Sequence, residues 1–307
     1  MSGLSLDGKV AVVTGSGRSL GRAYAIGLAQ AGAAVVVNDL DEASAAETVS
    51  LITDAGGRAV SQIADVADAD GAQSLVDRAV SEFGRLDCMV TNAGVLRDRV
   101  LWKMSDDDFD LVIRTHLRGT FMCARAAAIR MREQGEGGRI IVIGSPAGQF
   151  GGFGQTNYSA AKGGIVTLAQ SWSKELARNQ VTVNAVIPTA WTPMTETIPI
   201  YESLVEPVRR GEPLPREMRR EHAIGMPEDC APLLVFLTSD AAAGITGQAI
   251  GIGGDKLCIY SHPTEVAHAF RDGGWTAETI DSEWTNHLSS FEHHAPPGPQ
   301  PLKTVTA

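Results

Sequence analysis

Short β-branched runs alternate with helical stretches along most of this chain, and that alternation restricts its fold more than any other feature. The strand candidates are Lys9–Thr14, Ala33–Asp39, Arg58–Ile63, Leu86–Thr91, Gly138–Ser145, Val181–Ile187 and Gln248–Ile252. Helical stretches fall near Leu20–Ala31, Glu42–Ala55, Ala69–Phe83, Asp107–Glu133, Tyr158–Arg178 and Pro227–Thr238. Strand and helix in turn imply βαβ units, whose parallel strands need helices on both faces. The reading predicts an α/β fold with a doubly wound, seven-stranded parallel sheet.

Composition narrows the function classes. The chain has 307 residues, 44% of them hydrophobic, and no apolar run long enough to cross a bilayer, so a soluble globular protein without a membrane span is expected. A formal charge of −10 speaks against a nucleic-acid partner, which would be met by basic surface. Cys88, Cys123, Cys230 and Cys258 form neither a CxxC pair nor a metal-type spacing, and no secretory signal precedes them. Reduced thiols in a cytoplasmic compartment, and no metal, are expected.

Two segments break the alternation. Thr195–Met226 is rich in proline and carries Arg209, Arg210, Arg216, Arg219 and Arg220; it is too long for an ordinary connection and reads as a lid over a site. The domain is expected to span residues 1–255, with the lid at 195–226. From Lys256 a C-terminal extension, residues 256–307, holds a short helix near Thr276–Leu288 and a tail at Pro296–Pro301 expected to stay extended. His293 and His294 in that tail read as solvated. Ser105 before Asp106, Asp107 and Asp108 reads as a helix cap with first-turn acids, not as a catalytic cluster.

The loop Thr14-Gly15-Ser16-Gly17-Arg18-Ser19-Leu20-Gly21 follows a strand and opens a helix. Glycines there allow a tight turn and close approach of the backbone to a pyrophosphate at the helix N-terminus. Asp39 ends the next strand, where a carboxylate accepts from both hydroxyls of an adenosine ribose and repels a 2′-phosphate. NAD is therefore favoured over NADP. Arg18 pulls the other way, since a guanidinium could pair with a 2′-phosphate, but Asp39 weighs more.

Tyr158 and Lys162 stand four apart on one helix face, with Ser145 thirteen residues upstream. A phenol is a poor base at neutral pH, and a neighbouring ammonium favours its ionised form. Ser145 supplies a second hydroxyl to orient a substrate oxygen. These residues predict proton transfer by Tyr158 to or from a substrate oxygen beside a bound nucleotide.

The glycine-rich loop, Asp65-Val66, Thr91-Asn92-Ala93-Gly94, Ser145, Tyr158-Ser159-Ala160-Ala161-Lys162 and Pro188 together resemble the short-chain dehydrogenase/reductase family over about residues 6–255. The resemblance implies a Rossmann-type fold, a nicotinamide cofactor, a small-molecule alcohol or carbonyl substrate and a homodimer or homotetramer. It further implies that Gly15, Arg18, Ser19, Leu20, Gly21, Asp39, Leu40, Val66, Ala93, Pro188 and Thr192 lie along the cofactor. On the same ground Asp65 meets the adenine amino group, Asn92 and Gly94 line the cofactor, and Lys162 also holds the nicotinamide ribose. Leu20–Ala25, Val37–Leu40, Leu96–Arg99, His116–Gly119 and Phe153–Lys162 are similar to a subgroup of (3R)-hydroxyacyl-CoA dehydrogenase domains from type 2 multifunctional β-oxidation enzymes and their bacterial steroid side-chain relatives.

Three residues depart from the family pattern. Ser19 replaces a glycine, which is tolerable if its φ is negative. His116 replaces an asparagine that in many members helps a proton relay from the lysine, so its backbone preserves the relay, its imidazole, able to titrate near neutral pH, alters it, or it is simply a hydrogen-bonded helix histidine. Thr189 replaces the glycine after Pro188. Trp102, Met104, Phe150, Phe153, Trp191 and Met194 fall at the C-terminal ends of strands, where open α/β sheets bind ligands; Phe150, Phe153, Trp191 and Met194 are the candidate substrate contacts, with Ser145 and Tyr158. The lid arginines, with Arg97, Arg99 and Arg118, either meet the phosphates of coenzyme A or form a solvated face. The substrate is thus a (3R)-hydroxyacyl-CoA or a free secondary alcohol such as a hydroxysteroid, terpene or cyclic alcohol; a nucleotide-sensing protein without turnover is the remote alternative.

Overall fold

The computed structural model describes residues 4–193, 195–197 and 201–291. Met194, His293, His294 and the Pro296–Pro301 segment lie outside the described residues. The chain divides into two units, the first ending at Tyr260 and the second beginning at Ser261.

The first unit is a single sheet ordered β3-β2-β1-β4-β5-β6-β7-β8. Its strands are β1 Val10–Val13, β2 Ala34–Asp39, β3 Arg58–Ile63, β4 Cys88–Thr91, β5 Gly138–Ile143, β6 Val181–Pro188, β7 Ala249–Gly253 and β8 Lys256–Tyr260. The first seven pair in parallel, and β8 runs antiparallel to β7. The sheet therefore has eight strands and not seven. The eighth was not legible because Lys256–Tyr260 carries no βαβ signal; Gly253 and the left-handed Gly254 simply turn the chain back along the edge.

Helices cover both faces: α1 Ser19–Gln30, α2 Glu42–Asp54, α3 Ala69–Phe83, α4 Asp106–Val112, α5 Gly119–Gln134, α6 Pro146–Phe150, α7 Thr156–Glu175, and α10 Ala231–Thr238. Two apolar clusters result. One packs α3, α5 and α7 on the sheet through Leu75, Met122, Met131 and Ile165; the other packs α1 and α10 through Tyr24, Leu28, Leu234 and Leu237. Ser105 caps α4 by accepting from Asp108 N–H at 3.1 Å, so the acidic run is a first turn, as expected.

One long helix was expected over Asp107–Glu133. It is broken into α4, a π-helical stretch Ile113–Arg118, and α5. A π segment widens the helix by one residue per turn and is common where a side chain must be re-aimed toward a site; here it carries His116.

The segment 201–226, part of the stretch expected to form a lid, holds α8 Glu202–Arg209 and α9 Arg216–Arg220. Trp191, Leu214, Met218 and Ile224 form a small core of its own, with Leu204, Val205 and Val208 against it. In the second unit, helix α11 Ala277–Asn286 is capped by Thr276. No described helix is long and apolar enough to cross a membrane.

Candidate active site

β1 ends in the glycine-rich loop, and α1 starts at Ser19. Gly21 is required by close packing: a Cβ there would lie 2.1 Å from the Gly15 carbonyl oxygen and 2.6 Å from Asn92 Nδ2. Asn92 Nδ2 donates to the carbonyls of Thr14 and Gly15 at 3.0 Å each, so this side chain holds the loop in shape from behind. The Thr14 hydroxyl accepts from the N–H groups of Asn92 and Ala93, tying β1 to β4. Ser19 has a φ of +52°. The negative φ under which a serine would be tolerable is not adopted, and Ser19 bears the strain of the left-handed region.

Asp39 closes the other side of the loop. Its Oδ2 accepts from Gly17 N–H at 3.0 Å, and its Oδ1 accepts from the N–H groups of Leu40 and Asp41. Leu40 beside it is exposed. Asp65 accepts from Ala67 N–H and pairs with Arg114 at 2.8 Å. Arg114 was not anticipated: it stands on the π segment, 49 residues from its partner, with no local signal to announce it. Val66 is buried against Gly119. Pro188 ends β6, and the Thr192 hydroxyl accepts from Thr195 N–H. The loop, the α1 N-terminus and the anchored Asp39 carboxylate fit a dinucleotide; these residues would hold its diphosphate and ribose.

Ser145, Tyr158, Lys162 and His116 converge beyond the end of β5. Ser145 caps α6, its Oγ accepting from Ala147 N–H at 3.2 Å. Tyr158 and Lys162 share one face of α7, with Nζ 5.6 Å from the phenol ring centroid. The Lys162 side chain is 3% exposed, and its Nζ donates to the Ile143 carbonyl at 2.6 Å. Burial pushes its pKa down to about 7. Burial raises the Tyr158 phenol above its usual value, the hydrogen bond with Ser145 draws it down, and the Asp98 carboxylate raises it. Desolvation is the largest of these effects, and the lowering comes from Ser145.

His116 is 3% exposed, its ring edge-on to Tyr158 with centroids 5.2 Å apart. Its Nε2 lies 2.8 Å from Val95 O and 3.1 Å from Val95 N. One neutral nitrogen serves one of these, donating to the carbonyl or accepting from the N–H. Burial, then the charge of Lys162, pushes the imidazole down to about 3, so it does not titrate near neutral pH. The ring explains Gly94: a Cβ there would lie 2.1 Å from His116 Cε1.

Asn157 went unrecognised as more than part of a motif. It is fully buried, and its Nδ2 donates to the carbonyls of Arg97 and Asp108 at 3.0 and 3.1 Å, fixing the loop that faces Tyr158. Asp98 accepts from Gln155, and Arg99 N–H donates to Gly154 O across the same seam. Phe150 and Phe153 project from this side, 70% and 72% exposed, with Phe150 against Tyr260 at 5.9 Å. Trp191, expected to meet substrate, is 4% exposed and belongs to the lid core, where its Nε1 donates to Glu196. Three of the five lid arginines are spent within the protein: Arg209 on Glu196, Arg210 on Glu212, and Arg219 on Asp229 and Asp255. Arg118 donates to Ala67 O. Among the described residues no group of three or more His, Cys, Asp or Glu is arranged to hold a metal.

A doubly wound sheet with a glycine-rich loop and a Ser/Tyr/Lys cluster at its C-terminal edge defines a nicotinamide-dependent oxidoreductase. The family model for short chain dehydrogenase matches residues 9–200, and the chain belongs to that family. It is 39% identical over 293 residues to mouse peroxisomal multifunctional enzyme type 2, covering 92% of this chain and 37% of that protein. The hydroxyacyl-CoA dehydrogenase ChsB1 of Mycobacterium tuberculosis is 40% identical over 87% of this chain and 84% of its own. The 3-oxoacyl-(acyl-carrier-protein) reductase FabG of Thermotoga maritima is 36% identical over 82% of this chain and 98% of its own. A crystal structure of a short chain dehydrogenase from Mycobacterium avium superposes with a TM-score of 0.81 at 34% identity, covering 95% of this chain and 98% of that one.

Proposed function

We propose that this protein oxidises the secondary alcohol of a (3R)-hydroxyacyl-CoA to the ketone with NAD. The observation that carries the reaction type is the cluster of Ser145, Tyr158 and Lys162, with Lys162 Nζ 5.6 Å from the phenol ring, beyond β5, two strands along the sheet from β1, which leads into the glycine-rich loop. Ser145 orients the substrate oxygen, and Tyr158, as phenolate, takes the hydroxyl proton. A bound nicotinamide would accept the hydride from the carbinol carbon and add its positive charge to the site. Burial raises the Tyr158 phenol, and that charge would act in the opposite direction. Lys162 below pH 7 supplies a second cation. His116 acts as a neutral imidazole that holds Val95 and the Tyr158 ring in place.

NAD is preferred over NADP because both oxygens of Asp39 are fixed by backbone N–H groups, leaving an anchored negative charge where a 2′-phosphate would sit. The similarity to mouse peroxisomal multifunctional enzyme type 2 and to ChsB1 over most of this chain supports the hydroxyacyl-CoA substrate. The exposed Phe150 and Phe153 suit a bulky apolar chain. A free secondary alcohol is the second reading, favoured by the pairing of Arg210 with Glu212 and of Arg219 with Asp229 and Asp255. We place the enzyme in the cytoplasm, its four cysteines free, as a homodimer or homotetramer.

The test is the initial rate of NADH formation with 3-hydroxyacyl-CoA esters beside matched free secondary alcohols, in NAD and in NADP, with Tyr158→Phe as the blank. Turnover of the thioesters in NAD is expected. Turnover of free alcohols alone would discard coenzyme A, and rates equal to the blank throughout would discard the enzyme.

A further inference from the structure

One cavity of about 330 Å³ joins the lid to the glycine-rich loop. Arg18 and Ser19 line it from the loop, Thr192 from the segment after β6, Glu196 and Arg209 from the lid, and Glu228 from the turn before α10. Two arginines and two glutamates thus line one space beside the start of α1, whose N-terminus favours an anion. Arg209 has no part in the reaction described above. Its side chain is more than half exposed at the end of α8, and it is engaged by Glu196 at 2.7 Å and by Glu206 at 3.4 Å.

The two partners of the Arg209–Glu196 pair are not equally mobile. Glu196 is held on its other oxygen by the indole N–H of the buried Trp191, at 3.2 Å. Arg209 is held by carboxylates alone. Arg209 is more than half exposed, whereas Glu196 is 19% exposed and keeps its Trp191 donor, so the guanidinium is the partner that can exchange one anion for another. A diphosphate in the cavity offers two negative charges and geometry suited to a guanidinium fork.

We propose that Arg209 is a lid-borne clamp for the cofactor's diphosphate, held by Glu196 in the free protein and transferred to the diphosphate when the cofactor enters. Glu196 is then a built-in competitor that weakens cofactor binding and eases release. The proposal rests on the reading of the glycine-rich loop as a dinucleotide site. The diphosphate of coenzyme A has the same chemistry, so the test separates the two sources.

The experiment is titration of the full-length protein with NADH, followed by NADH fluorescence without substrate, and in parallel with coenzyme A. Arg209→Gln is expected to raise the NADH Kd about tenfold and to make it less sensitive to salt. Glu196→Gln keeps an acceptor for Trp191 but removes the competing charge, and is expected to lower the Kd about threefold. These opposite signs separate a clamp from damage to the lid. Arg210→Gln, whose arginine pairs with Glu212, leaves the NADH Kd unchanged. An unchanged Kd in both Arg209→Gln and Glu196→Gln would overturn the clamp and leave the cofactor site standing. Weakened binding of coenzyme A alone would overturn it and give Arg209 to the substrate. Absence of NADH binding by the native chain would overturn the clamp together with the dinucleotide reading beneath it.

Discussion

Ser19 and Gly94 show how single positions carry the strain and the fit of this site. Ser19 adopts a backbone conformation that a side chain resists, so Ser19→Gly is expected to stabilise the protein by about 1 kcal/mol, read as a higher urea midpoint at unchanged slope. Gly94 owes its identity to the His116 ring. Gly94→Ala is expected to cost about 2 kcal/mol in the native background and much less beside His116→Ala, a coupling that a double-mutant cycle measures. Additive costs would show that the ring moves aside freely. The glycine was legible as part of a motif. Its reason was not, because the imidazole that demands it lies 22 positions away on a helix whose π break no periodicity announces.

At the scale of elements, α8 and α9 share a small apolar core with Trp191, and ion pairs hold them. Glu196 ties α8 to Trp191, while Arg219 ties α9 to Asp229 and Asp255 at 2.9 Å each. Arg219→Gln is expected to speed hydrogen exchange across 201–226 and to raise the substrate KM about threefold, with little change in the exchange of the main sheet. Uniformly faster exchange would mean that the lid does not open separately. The segment 195–226 was legible as an irregular, proline-rich stretch. Its arginines read equally well as ligands for phosphate, and their carboxylate partners, up to 36 residues away, came into view only with the fold.

For the whole molecule, the cost of burying Lys162 and His116 is expected to show as a pH dependence. Lys162 falls from 10.5 to about 7, and His116 from 6.5 to about 3. Between each pair of values the unfolded chain binds the proton and the folded one does not, so stability rises with pH through both windows. The cofactor-free protein is expected to gain stability from about pH 7 to 9.5, and Lys162→Met to flatten that rise while raising stability near pH 7. Chemical denaturation across that range checks it; a native-like slope in the variant would show that another group carries the effect. Below pH 6.5 the same sign holds for His116, and His116→Asn is expected to soften the acid limb of the same curve.

The sequence by itself determined what depends on near neighbours in the chain. Seven parallel strands followed from alternation, the cap on α4 from Ser105 and its acids, and the shared face of Tyr158 and Lys162 from the pitch of a helix. The glycine-rich loop and Asp39 were legible because each closes a βαβ turn. Tertiary structure alone decided the eighth strand, the left-handed Ser19, the burial of Trp191 in the lid, and the partners of Asp65, Arg209 and Arg219. It also decided the protonation of the site: desolvation belongs to everything packed around a group, and no spacing of residues along the chain encodes how deep Lys162 and Tyr158 come to lie.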